Sequence, residues 1–240
     1  MRNAAIVTVV CAFVHAFVHA FLGAFVCVLL GVADATAAQV AVEGVSLNLP
    51  VPPGFCELSS GNPADRRMLD MIGDLVAKAR GNQLLAMSAD CQQLADWRAG
   101  RRLLGDYGQY QAPKLATASE DTFKQTCAAL RTQGGQSIAN MRKDLKDKME
   151  ESVRRMKVND QRFAGFLGED ATACYVALLQ KLRSEDGPDV TQVTVLAITT
   201  VKDRFLFVNR YAPYVNADSV NEALAKLKLT IAALLEANRS

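Results

Sequence analysis

Apolar and polar side chains alternate along Val45-Ser46-Leu47-Asn48-Leu49, the period of two that marks a half-buried strand. Pro50, Pro52, Pro53 and Gly54 close it, and Phe55-Cys56 follow. Asn62-Pro63 predicts a helix start, because an asparagine side chain accepts a free amide and proline lacks an N–H that the first helical position leaves unpaired. Met68, Ile72, Leu75 and Ala79 recur on one face, and Gly81 is placed to end the helix. Residues 84–89 read as a second strand closing at Asp90-Cys91. Residues 92–104 are polar and arginine-rich around Trp97, a short helix or a loop, and 106–112 form a weaker strand pattern. A long helical region is expected from Ser119-Glu120-Asp121, where a cap residue and acids suit the positive end of a helix dipole. Phe123, Cys127 and Leu130 begin its apolar stripe. Gly134-Gly135 interrupts it, at a cost of about 1 kcal/mol per glycine. Ile138, Met141, Leu145, Met149, Val153 and Met156 then resume the spacing, with Lys146, Glu150 and Arg154 as an i,i+4 ladder on the opposite side.

The last third is richest in strand formers. Residues 173–182 and 190–200 are joined through Ser184-Glu185-Asp186-Gly187-Pro188, a turn composition. Lys202-Asp203 links tightly to a third strand at 204–211, which Pro213 ends. Ser219 and Glu222 are spaced as a capping box, and Val220, Leu224, Leu227, Ile231 and Leu234 mark the buried face of a final helix. The expected fold class is α+β: an antiparallel sheet with helices packed on it, ending in a three-strand meander and a C-terminal helix.

This layout resembles that of the PsbP/DcrB-like family, small exported α/β domains with an antiparallel sheet between helices. Leu47-Asn48-Leu49-Pro50-Val51-Pro52-Pro53-Gly54-Phe55 and the meander with its helix at 173–238 carry the resemblance, which is one of layout without a specific motif. It implies an accessory or envelope role and no catalytic residues to carry over. The long charged helix at 137–157 departs from the family.

The N-terminus bears on compartment. Arg2 precedes residues 4–32, which hold no charged side chain besides the neutral His15 and His19, and Ala33-Asp34-Ala35-Thr36-Ala37-Ala38 offers a cleavage site after Ala35 or Ala37. The order of charge, apolar run and small residues predicts a secretory signal peptide over 1–37 and one mature domain over 38–240. The apolar run exceeds the usual 7–15 or so residues and reaches the roughly 20 that span a bilayer, so an uncleaved anchor is the alternative. A lipid anchor does not fit, because valine rather than a small residue precedes Cys11 and Cys27.

Loss of the leader removes both histidines and leaves Cys56, Cys91, Cys127 and Cys174 of the six cysteines. Without imidazole, nucleophilic triads fail. The absence of C-x-x-C excludes a thioredoxin-like centre and a zinc ribbon, and no phosphate-binding glycine loop occurs. No cofactor, metal or catalytic set is therefore expected. The formal net charge of +2, spread without long runs, argues against a nucleic-acid partner. Four cysteines in an oxidising compartment point to disulfides, in three possible pairings. If the strands before Cys56 and Cys91 are parallel neighbours, both sulfurs emerge at one sheet edge, near the ~5.5–6 Å Cα spacing a bridge prefers. Cys127 with Cys174 would then tie the long helix to the meander. Buried unpaired thiols are the plain alternative.

Three further features carry functional readings. Trp97, Tyr107 and Tyr110 with Arg98, Arg101 and Arg102 form a candidate recognition patch, set against a Trp97 that merely caps the core. Glu169-Asp170 and the looser set Asp90, Asp96 and Asp106 are the acids that a carboxylate-dependent glycan hydrolase would need. The stripe at 138–156 packs on the sheet or docks a partner. The leading expectation is an exported, non-enzymatic domain that binds an envelope protein. It meets a membrane only if the leader is retained. The hydrolase is the alternative.

Overall fold

The computed structural model describes residues 37–114, 117–134, 156–184 and 190–239. The leader, Gly135, the stripe from Ile138 to Val153, the Lys146–Glu150–Arg154 ladder and Glu185 to Pro188 lie outside the described residues. No described helix is long and apolar enough to cross a membrane.

Ala38–Val42 (β1) and Val45–Leu49 (β2) form an antiparallel hairpin. Phe55–Glu57 (β3) leads to Pro63–Arg80 (α1), where the Asn62 side chain accepts from the Ala64 and Asp65 amides. Gly81 ends α1 at φ 64°, a left-handed conformation that costs glycine little. Then follow Asn82–Asp90 (β4), Cys91–Arg98 (α2), Tyr107–Pro113 (β5) and helical residues 120–134 (α3). Met156–Glu169 (β6), Ala173–Ser184 (β7), Val190–Val201 (β8) and Arg204–Pro213 (β9) precede Ala217–Ala237 (α4).

Seven strands pair antiparallel in the order β3-β4-β5-β9-β8-β7-β6. With helices packed on this sheet, the fold is α+β and ends in the β7-β8-β9 meander and α4. One face buries Tyr110, Val195, Ala197, Leu206 and Val208 against Ala223, Leu227, Ile231 and Leu234 of α4 and Val42, Leu47 and Leu49 of the hairpin. The other face holds two apolar clusters. Met87, Ala89 and Leu94 lie with Met68, Leu69 and Ile72 of α1, and Cys174, Val176, Leu196 and Ile198 lie with Phe123, Cys127 and Leu130 of α3. Buried polar side chains (Gln109, Gln111, Gln192, Thr194 and Asn209) are interspersed on that face.

Three local expectations need correction. Met156 does not end a helical stripe; it opens β6, a strand whose pattern is broken by three register shifts and by Gly165 and Gly168 at φ 148° and 128°. The cap of α4 is Asn216, whose side chain serves the first turn, while the Ser219 hydroxyl reaches back to the Val215 and Asn216 amides. Asparagine two residues before the aspartate captured the role assigned to Ser219 and Glu222. Cys56 lies inside β3, and β3 runs antiparallel to β4, so the parallel-strand route to a bridge does not hold.

Candidate functional site

The sulfurs pair as Cys56–Cys91 and Cys127–Cys174, with Cα separations of 4.9 and 5.7 Å. An edge strand of three residues presents Cys56 directly to the first residue of α2. That strand pairs with Ser88, Ala89 and Asp90 of β4, which puts both cysteines at one end of the sheet. The second bridge fixes α3 to β7.

The aromatic and arginine set is dispersed. Arg98, in the last turn of α2, pairs with Asp65, which is 0% exposed and also accepts from the Ser59 amide at 2.9 Å. Burial pushes the Asp65 carboxyl up, but the Arg98 and Ser59 hydrogen bonds outweigh it and hold the group below its ordinary value. Trp97 packs in the Met87–Leu94 cluster beside Tyr107. Tyr107 stacks on Tyr211 with centroids 4.3 Å apart. Tyr110, three residues along β5, faces the other side of the sheet and donates to the Pro50 carbonyl at 2.7 Å. Arg101 is exposed and bonds Asp96, and Arg102 is exposed. Alternation along β5 thus sends the two tyrosines to opposite faces.

The acids are engaged by their own neighbours. Asp170 accepts from the Thr172 amide and hydroxyl, the Ala173 amide and the Tyr175 hydroxyl, an Asx turn in which these bonds overcome burial and lower its pKa. Glu169 pairs with Arg131 of α3. Asp90 accepts from the Gln93 amide to cap α2. Asp106 accepts from Arg210 Nη2 at 2.8 and 2.9 Å. Arg210 is 4% exposed and lies 4.7 Å over the Phe55 ring. Burial holds the Asp106 carboxyl above its ordinary value, with Arg210 and Lys226 opposing the shift. The Asp106–Arg210 pair braces the start of β5 against β9, while Glu169 and Asp170 brace the turn between β6 and β7.

One concavity escaped the sequence reading. A groove of about 360 Å3 runs between α1 and the first half of β4, lined by Leu69, Gly73 and Ala77 on the helix and by Asn82, Leu84 and Leu85 on the strand. Asp70 and Lys114 also line it. Because β3 pairs only with Ser88 to Asp90 and the Leu58 amide takes the Met87 carbonyl at 2.9 Å, no described strand flanks Asn82 to Ala86 on that side. Asn82 is 3% exposed, and its Nδ2 has no hydrogen-bond partner among the described residues, an arrangement that costs about 1–3 kcal/mol. Gly73 sits mid-helix, where it costs about 1 kcal/mol relative to alanine. A Cβ there would meet nothing within 4 Å among the described residues. The signal that could have found this site was small residues at i and i+4, Gly73 and Ala77, after Leu69.

No protein-family model and no curated protein matches the chain. Among solved structures it is similar to the Ran-binding protein Mog1p of Saccharomyces cerevisiae, at 11% identity over 85% of this chain and 93% of that chain, with a TM-score of 0.31. It is also similar to the cyanobacterial PsbP (CyanoP) of Synechocystis, at 10% identity over 85% and 94% of the two chains, with a TM-score of 0.33. A PsbP structure is therefore among the solved structures to which this chain is similar.

Proposed function

We propose that this chain is an exported, non-enzymatic domain that works outside the cytoplasm, in the periplasm, envelope or external medium, by binding a partner protein. Its leader covers residues 1–37 and its single mature domain 38–240. The observation that carries the reading is the groove between α1 and β4, a concave, half-apolar strip beside a strand edge with no described strand on it. Two disulfides support export, since such bonds persist in oxidising compartments. The engagement of Asp90, Asp106, Glu169 and Asp170 in local bonds favours binding over hydrolysis. Purification from the native source tests both halves. The expected N-terminus falls after Ala35 or Ala37, and the expected species is a stoichiometric complex in gentle extracts. An intact Met1 with free thiols in the cytosolic fraction overturns the compartment. A chain that elutes alone from every extract yet cleaves a peptidoglycan or polysaccharide panel overturns the binding role.

A further inference from the structure

We infer that the α1–β4 groove takes an extended peptide segment of the partner as an added strand, antiparallel to β4, with a carboxylate at its C-terminal end. This deepens the partner-binding reading and rests on it. Three independent features converge. The ladder on the β5 side of β4 extends to Asn82↔Pro113 with one register shift between Leu84 and Ala86, whereas pairing on the β3 side stops at Ser88 and the Leu58–Met87 bond. A segment laid along Asn82 to Ala86, roughly 17 Å of strand, would pair with that open edge.

Gly73 supplies the second feature. It lies in the helical stripe with Leu69 and Ala77 that lines the groove, and a Cβ there would meet no neighbour within 4 Å among the described residues. Packing among the described residues does not require a glycine there. The space it leaves suits an alternate side chain of an incoming strand, small and apolar to match Ala77, Leu84 and Leu85.

The third feature sets polarity and direction. The chain reverses at Gly81, so Ala77, Asn82 and Lys114 mark one end of the groove and Leu69, Asp70 and Ala86 the other. At the first end, the Nδ2 of Asn82 is buried without an acceptor among the described residues, and Lys114 follows Pro113, the register partner of Asn82. An amide donor and an ammonium ask for a carboxylate. At the other end exposed Asp70 asks for a cation. A peptide that starts beside Asp70 and finishes beside Lys114 runs opposite to β4, the direction in which strand pairing is slightly stronger.

Selection of a displayed random octapeptide library on the full mature chain under oxidising conditions tests this. Enriched peptides are expected to alternate small apolar residues and to end in aspartate, glutamate or a free C-terminus. Their binding should weaken at least tenfold in Gly73→Leu. It should weaken about fivefold in Lys114→Glu, with recovery when the terminal acid of the peptide is replaced by lysine. Amides from Asn82 to Ala86 should gain hydrogen-exchange protection. Gly73→Ala, which keeps the helix, serves as the folding control. Failure to enrich any peptide, equal binding by Gly73→Leu, or protection elsewhere overturns the groove. If Gly73→Leu still co-purifies with the native partner, the groove falls and partner binding stands. If the unaltered chain recovers no native partner while peptides bind, the partner-binding reading falls.

Discussion

Asp65 and Gly73 are eight residues apart on α1 and make opposite demands on it. The Asp65 carboxylate is fully buried and holds both the Arg98 guanidinium and the Ser59 amide. Asp65→Asn should therefore cost about 2 kcal/mol at neutral pH in urea denaturation, a value reduced because Arg98 is partly exposed. The pH dependence has a definite sign. A carboxyl held low in the folded state stabilises above its unfolded pKa of about 3.9, and that contribution disappears as pH falls through the folded value. Below about pH 4 the native chain should lose stability more steeply than Asp65→Asn, as denaturation at pH 7 and pH 3 would reveal. Asp106 acts the other way: held high by burial, it favours folding slightly as the solution acidifies through its own range. Gly73→Ala should raise stability by about 1 kcal/mol, read as a higher thermal midpoint, because it gains helix propensity without meeting a neighbour.

At the scale of elements, end signals proved legible because they are local chemistry. Asn62, Pro63 and Gly81 mark α1 regardless of what it packs on. The start of α4 was displaced by three residues, because Asn216 and Ser219 both resemble caps and only the path of Val215 decides between them. Asn216→Ala should cost about 1 kcal/mol of unfolding free energy, whereas Glu222→Ala should stay within about 0.5 kcal/mol. β6 was illegible for a physical reason: each of its three register shifts resets the alternation that identifies a strand. β1 went unread because it begins at Ala38, the last residue of the small-residue run that suits cleavage. The small residues Gly73 and Ala77 mark the helical wall of the groove, but its open strand edge was not legible, because it depends on β3 being only three residues long, which leaves the first half of β4 uncovered. The tyrosines of the recognition patch separated because residues three apart on a strand point to opposite faces, whatever their chemistry.

At the scale of the whole molecule, two bridges fasten opposite ends of one sheet. Cys127–Cys174 anchors α3 over β7, next to the β6 edge, and Cys56–Cys91 anchors β3 at the other. Replacing Cys56 and Cys91 by serine should cost about 2–4 kcal/mol. It should also speed hydrogen exchange at Phe55–Glu57 while leaving β7 and β8 protected, since β3 has few other ties. The neighbour of Cys56 gives this bridge a second consequence. Phe55 is the aromatic lid on Arg210, and that arginine in turn neutralises Asp106 where β5 begins. The bridge beside Phe55 thereby helps hold the cover over a buried ion pair at this end of the sheet. In a reduced chain this corner is expected to loosen first, which faster hydrogen exchange at Phe55 would register.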